Sequence, residues 1–330
     1  MTDVGERLAA IAPALAGGEA RITDLTLLTG GASMETWAFT LEPGQGEARA
    51  LILRRGASPL AGHPGNKPPL RIEAEQIAAA VAHGVPAPEV VHICAPEEGL
   101  GEAYVMRRVS GETLGKRIAT DPVFAEARKG LARQCGEALA RIHATPPVAE
   151  LAPLDIRTTL ANYEETWRDS GLVRPTIEAA FRWLERRVPE AGALTLVHGD
   201  FRNGNIMVDP VHGLVAVLDW ELAHIGDPAE DIGWICTNSW RFGQPRRRVG
   251  GFGDLDDLLA GYVAAGGAGI AKERIDFWQM LGSLKWGVMT TLMHKRWAAD
   301  PSAGPERAVI GRRLSETEAD IVAIIERSAA

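Results

Sequence analysis

No CxxC pair occurs in this 330-residue chain, and its three cysteines, Cys94, Cys135 and Cys236, form no even-numbered framework. That excludes a disulfide scaffold and fits reduced, buried thiols in a cytoplasmic protein. No run of about 18 apolar residues is present, so no membrane span is expected. The opening MTDVGERLAAIAPAL lacks a basic stretch followed by a long apolar one, so no signal peptide is expected. Internal repeats and low-complexity segments are also missing. An excess of positive charge is missing too: the net charge is -8 and the pI about 5.6. A nucleic-acid binder usually shows a basic stripe, so none is expected as partner. A polyanionic small substrate stays open, because local charge can differ from the total. What is present is ordinary globular composition, 46% hydrophobic and 24% charged, over a length that suits one large domain or two lobes.

The order of elements is α+β. Residues 3–16 have the spacing of a short amphipathic helix. Strand-like runs follow through residue 56, around the turn signals GGAS and EPGQGE. LRIEAEQIAAAVAHG has helical spacing and a glycine stop. VPAPEVVHICAPEEGLGEAYVMRRV then holds two more strands. After SGETL the pattern becomes helical: a long helix over 122–144, then helical patterns near 155–188, 254–265, 272–298 and 305–328. A β-rich lobe therefore precedes a helical one, joined near Met106–Gly111, and the cleft between two such lobes commonly takes a small molecule.

The densest chemistry lies in LVHGDFRNGNIMVDPVHGLVAVLDWE, from Leu196 to Glu221. NIMV and LVAVL flank DPVHG, a turn by composition. Pairing Val208 with Leu214 would set Asn205 opposite Val217, with Asp219 two residues beyond on the same end of a hairpin. HGDFRNGN brings Asp200 to that end as well. Hard oxygen ligands without cysteine or clustered histidine suit Mg²⁺ rather than zinc. Asn205 and Asp219 fit that role, and Asp200 is placed to accept a proton from an attacking hydroxyl. This is a phosphoryl-transfer arrangement.

HGDFRNGN resembles the HGDxxxxN loop of the aminoglycoside phosphotransferase family, within the protein-kinase-like superfamily. LDWE resembles that family's metal-binding segment, and GDPAEDIGW, at 226–234, also matches. LTGGASMETWAF, LILRR, LRIEAEQIAAAVAHGVPAPEVV, AYVMRRVSGETL and LARIHA resemble its first β-turn, third strand, C-helix, hinge and long second-lobe helix. FWQMLGSLKWGVMT resembles a late helix of the branch related to the kinase-like domain of acyl-CoA dehydrogenase fusion proteins. The resemblance implies a two-lobed kinase-like fold, with residues 1–109 binding nucleotide and 110–330 carrying catalysis and substrate. It implies ATP and Mg²⁺ as cofactors, Asp200 as base, Asn205 and Asp219 as metal ligands, and Glu73 as the C-helix carboxylate. Backbone groups of Gly31, Ala32 and Ser33 would cradle phosphates, and those within Met106–Arg108 (Met106, Arg107, Arg108) would meet the adenine edge. The family's strand lysine falls at Arg54, a departure that keeps the charge without being its equivalent.

Each motif also has a plainer reading. His198 and Asp231 read as structural members of the loop. Glu221 reads as ligand support or an exposed acid, and either Glu73 or Glu75 as a solvated face. Arg202 could meet the γ-phosphate or acceptor, or only form a salt bridge. Trp278 and Trp286 read as core. The run Arg246–Arg248 reads as a solvated loop, with an anion contact as the minority reading. The expected activity is ATP-dependent transfer to a hydroxyl of a small molecule. The alternative is a pseudokinase-like nucleotide-binding module without transfer, motivated by Arg54. The acceptor and the oligomeric state stay open, and the RRR run together with the mild acidity of residues 151–330 (25 acids, 20 bases) argues against polycationic aminoglycosides.

Overall fold

The structure is a computed structural model that describes residues 3–28, 34–56, 68–190, 192–300, 302 and 304–329. Five antiparallel strands open the chain: β1 (Ala20–Leu28), β2 (Met34–Pro43), β3 (Arg49–Gly56), β4 (Val90–Ile93) and β5 (Ala103–Arg107). They lie in the order β1-β2-β3-β5-β4. The period-2 alternation of β3 decides which residue faces what. Leu51 and Leu53 pack, with Phe39, Leu41 and Val105, against Val4, Leu8 and Ile11 of helix α1 (Asp3–Ala16). Arg54, between Leu53 and Arg55, is thereby turned to the opposite face, where helix α2 (Leu70–Ala82) presents the buried Glu73.

α2 does not belong to the sheet's core. Its Ile72, Ala74, Ile77 and Ala80 join one large apolar cluster with the helices of the second half, including Leu131, Cys135 and Leu139 of α4. The buried core therefore runs continuously across the boundary at 109/110. The helical half contains α3 (Gly115–Thr120), α4 (Ala125–Ala144), α5 (Ile156–Asp169), α6 (Pro175–Glu185), α7 (Ala229–Ile235), α8 (Leu255–Ala264), α9 (Lys272–Ala299), α10 (Pro305–Gly311) and α11 (Leu314–Ala329). α4 and α8 approach closely because Gly136 has no side chain: a Cβ there would stand 1.9 Å from the Leu258 carbonyl oxygen. No helix among the described residues is long and apolar enough to cross a membrane.

The structure corrects two of the expected helices. The pattern near 155–188 is two helices, because Gly171 takes a left-handed φ of 70° and Pro175 starts a new helix. The 305–328 pattern breaks at Arg312 and Arg313 between α10 and α11. α3 and α7 have too few turns to leave a periodic trace.

Candidate active site

Strands β6 (Thr195–Val197) and β9 (His224–Gly226) pair with each other, and β7 (Ile206–Asp209) pairs with β8 (Gly213–Val217). The hairpin starts in the expected register, with Val208 opposite Leu214, but Ile206 lies opposite Val217. One extra residue of β8 is a bulge. Asn205 is therefore opposite Leu218, not Val217: the Leu218 N–H donates to the Asn205 carbonyl at 2.8 Å. The bulge brings Asp219 one residue closer to Asn205 along the ladder than an unbroken hairpin would. Asp219 then leaves the ladder with φ 64°, a left-handed conformation that aspartate tolerates at a cost on the order of 1 kcal/mol.

Asp200 is clamped. Its Oδ1 accepts from Trp234 Nε1 at 2.7 Å and from Arg202 Nε at 3.0 Å, and its Oδ2 accepts from Asn205 Nδ2 at 2.6 Å. A carboxylate offers about four lone-pair sites. Three are taken, and the fourth is on Oδ2. The same geometry spends the nitrogen of the Asn205 amide and leaves its Oδ1 as the atom a cation would meet. Arg202 also stacks over Trp240, 4.5 Å from the ring centroid. Arg202 thus forms the salt bridge that one of its two readings names, beside the carboxylate expected to act as base.

The loop before Asp200 is held by groups that do not reach its carboxylate. Asp231 accepts the N–H groups of His198 and Gly199, each at 2.9 Å, and His143 Nε2 lies 3.2 Å away. Burial pushes the Asp231 carboxyl up, but His143 and the His198 N–H hold it below its ordinary value. His198 is fully buried. Its Nδ1 accepts the Asp200 N–H at 3.2 Å and its Nε2 faces the Leu218 carbonyl at 3.1 Å. Burial pushes its pKa down, so the ring is neutral and ties the loop to the hairpin. Gly199 has φ 77°, and a Cβ there would stand 2.4 Å from the Leu222 carbonyl oxygen. The scaffold reading of His198 and Asp231 agrees with this geometry.

Arg54 is the electrostatic centre opposite the hairpin. It lies 2.7 Å from Asp219 Oδ1, 3.4 Å from Glu73 Oε1 and 3.4 Å from Glu221 Oε2. Tyr104 donates to Glu73 at 3.1 Å. Burial alone would lower the Arg54 pKa, but Glu73 and Asp219 raise it, so the guanidinium stays charged. Burial raises the Glu73 carboxyl to about 7, against the pull of Arg54. The folded chain thus keeps this proton to higher pH than the unfolded chain does. The group favours folding below its ordinary 4.5 and loses that contribution as pH rises through about 7. Wild type is therefore expected to lose stability relative to Glu73→Gln between about pH 4.5 and 7, followed by thermal unfolding. A constant difference across that window would refute the assignment.

The remaining expected site residues scatter. Gly31, Ala32 and Ser33 lie outside the described residues. Met106 and Arg107 sit in β5, where Met106 pairs with Ile52 and Val90. The N–H groups of Arg107 and Arg108 donate to Glu89 and Ala50 carbonyls at 2.8 and 3.0 Å, so neither is free for a purine edge. Arg247 pairs with Asp254 and Arg248 with Asp276, so two of the three arginines in the run are spent internally. Trp278 is core and donates to Asp227 at 2.7 Å. Trp286 packs edge-on to Trp240, which packs edge-on to Trp234. Trp234 is the member of the site that sequence reasoning assigned no role. Its only signal was its place at the end of GDPAEDIGW. Lys285, whose ammonium lies 4.8 Å over the Trp234 ring, was marked only by its place in FWQMLGSLKWGVMT.

The sequence profile of the APH group, described as "Phosphotransferase enzyme family", matches residues 24–278. Mouse acyl-CoA dehydrogenase family member 10 is 29% identical over 164 residues, covering 46% of this chain and 15% of that protein. Human acyl-CoA dehydrogenase family member 11 is 30% identical over 160 residues, covering 45% of this chain and 20% of that protein. The chain thus spans a fifth or less of the length of these curated relatives. A structure from Ralstonia eutropha, provisionally named an aminoglycoside phosphotransferase, superposes with a TM-score of 0.73 at 19% identity, covering 98% of each chain. A thermostable mutant of aminoglycoside phosphotransferase APH(4)-Ia, in complex with ADP and hygromycin B, gives 0.63 at 16% identity, covering 98% of this chain and 99% of that one. These likenesses show the kinase-like fold.

Proposed function

The chain belongs to the phosphotransferase enzyme family, and on that premise we propose that it moves the γ-phosphate of ATP to a hydroxyl of a small molecule. The observation that carries this reading is the contact of Asp200 Oδ2 with Asn205 Nδ2 at 2.6 Å. It joins a proton acceptor and a metal-binding amide at the hairpin end that also carries Asp219. Asp200 takes the acceptor's proton on the remaining Oδ2 lone pair, while Trp234 and Arg202 fix the carboxylate from the other side. Asn205 Oδ1 and the Asp219 carboxylate are hard oxygen donors that suit Mg²⁺, which supplies charge neutralisation on the phosphate oxygens. Arg54, held by Glu73, orients Asp219. Residues 1–109 act as the nucleotide-binding part and 110–330 as the part that holds catalysis and acceptor.

The acceptor side is cationic and aromatic. Arg202 covers Trp240 and Lys285 covers Trp234, so the ring faces that could receive a cationic substrate already carry protein cations. Polycationic aminoglycosides are therefore expected to be poor acceptors. The test is acceptor-dependent ADP release with Mg·ATP over a panel of hydroxyl metabolites that includes aminoglycosides. ADP formation with at least one neutral or anionic alcohol, abolished by a chelator, is the expected result. Tight Mg·ATP binding with no acceptor-dependent ADP would assign the chain as a nucleotide-binding module instead.

A further inference from the structure

Away from the Asp200 hairpin, three side chains of different chemistry converge on the edge of the five-stranded sheet. His92 and Cys94 are two residues apart, so they project on the same side of the strand line. Strand β4 ends at Ile93, but the Cys94 N–H still donates to the Ala103 carbonyl at 2.9 Å, which keeps Cys94 in register with β5. The chain then turns through Pro96–Glu98. Glu98 folds back: its Oε2 accepts the Ala95 N–H at 3.0 Å, and its two carboxylate oxygens lie 2.8 and 2.9 Å from His92 Nε2. One ligand atom from each of His92, Cys94 and Glu98 lies within 4.8 Å of the others, a grouping found among the described residues at this place.

We propose that His92, Cys94 and Glu98 bind a zinc-class divalent cation, with a solvent molecule completing a four-coordinate shell. An imidazole nitrogen, a thiolate sulfur and a carboxylate oxygen are the donors that zinc takes, and three protein ligands plus water is a common open zinc shell. The charges close. One thiolate and one carboxylate neutralise the dication, and the Cys94 thiol proton leaves to solvent as the metal–sulfur bond forms. The side chains of His92 and Glu98 are 27% and 19% exposed, which gives an ion a route in and leaves room for the solvent ligand. The turn at 95–98 is held by its own backbone bonds, so the ligands are organised before an ion arrives. The donor set differs from the hard oxygens around Asn205 and Asp219, so zinc and magnesium would sort to different places.

The experiment uses the full chain, stripped of metal with a chelator and titrated with Zn²⁺ against a chromogenic competitor. Wild type is expected to take one equivalent. Cys94→Ser and His92→Gln should each weaken binding at least about 100-fold, since even outer-shell losses cost 10–100-fold. Co²⁺ should give wild type a thiolate-to-metal charge-transfer band that Cys94→Ser lacks. Acceptor-dependent ADP formation should be unchanged in both variants, so failure of this site and failure of the kinase reading are separable. No uptake above the competitor, or equal uptake by wild type and Cys94→Ser, would overturn the proposal. Thiol labelling of wild type serves if a variant does not fold. Cys135 and Cys236 are buried and Cys94 is half-buried, so Cys94 is the most exposed of the three thiols, and burial beside Glu98 makes its labelling in the metal-free chain slow. Zn²⁺ should shield it and a chelator should re-expose it; no shielding also overturns the proposal.

Discussion

Asp200→Asn should lower acceptor-dependent ADP formation by about 10³-fold while leaving Mg·ATP binding within roughly twofold of wild type, because a positioned general base contributes about 10²–10⁴-fold. The amide keeps an oxygen where Oδ1 accepts from Trp234 and Arg202, so the clamp survives in part. It cannot take the proton. Asp200→Ala should abolish turnover as well, but it also leaves the Trp234 and Arg202 donors without their acceptor, so a loss there mixes chemistry with packing. Trp234→Phe separates the two. It keeps a smaller aromatic ring facing Trp240 and removes one donor to Oδ1, and its cost should be nearer tenfold, in line with a single hydrogen bond. The readout is steady-state ADP release beside calorimetric titration with nucleotide. Activity of Asp200→Asn within tenfold of wild type would remove Asp200 from the chemistry.

The second large effect is on stability. Arg54→Ala removes the cation that Glu73, Asp219 and Glu221 share. Glu73 is only 2% exposed, so its charge cannot be recovered by water. Breaking a buried ion pair from one side costs about 3–5 kcal/mol, and that is the expected loss at pH 8 by denaturant unfolding. Glu73 already holds its proton to about 7 with Arg54 in place, and without Arg54 it would hold it further. The loss should therefore shrink as pH falls below 7. Arg54→Lys should be intermediate, since an ammonium keeps the charge without the planar fork that reaches Asp219 and Glu73 together. A loss below about 1 kcal/mol at pH 8 for Arg54→Ala would mean that the three carboxylates are stabilised elsewhere.

Much of this site could be read along the chain because its parts are close in sequence. Asp200, Asn205 and Asp219 lie within 20 residues of one another, and two apolar runs around a DPVHG turn are a hairpin signal that acts over a few residues. The alternation of LILRR likewise put Arg54 on one face of β3. Gly171 and Pro175 divide the 155–188 pattern into two helices, a break that a left-handed glycine and a helix-starting proline make over only a few residues. The bulge in β8 was not visible at all. It inserts one residue without changing the hydrophobic pattern, and it is what sets Asn205 opposite Leu218.

By itself, then, the sequence determined the lobed α+β order, the hairpin and the identities of the residues at its open end. All of these depend on periodicity and turn chemistry acting over a few residues. Only the tertiary structure decided that Trp234 closes on Asp200, that Lys285 and Arg202 cap tryptophan rings beside it, and that Arg54 binds Asp219 across 165 residues of chain. The N–H groups of Arg107 and Arg108 were also committed by strand pairing rather than by local sequence. Contacts of this kind arise when separate elements pack into one core, and packing leaves no periodic mark on the residues it brings together.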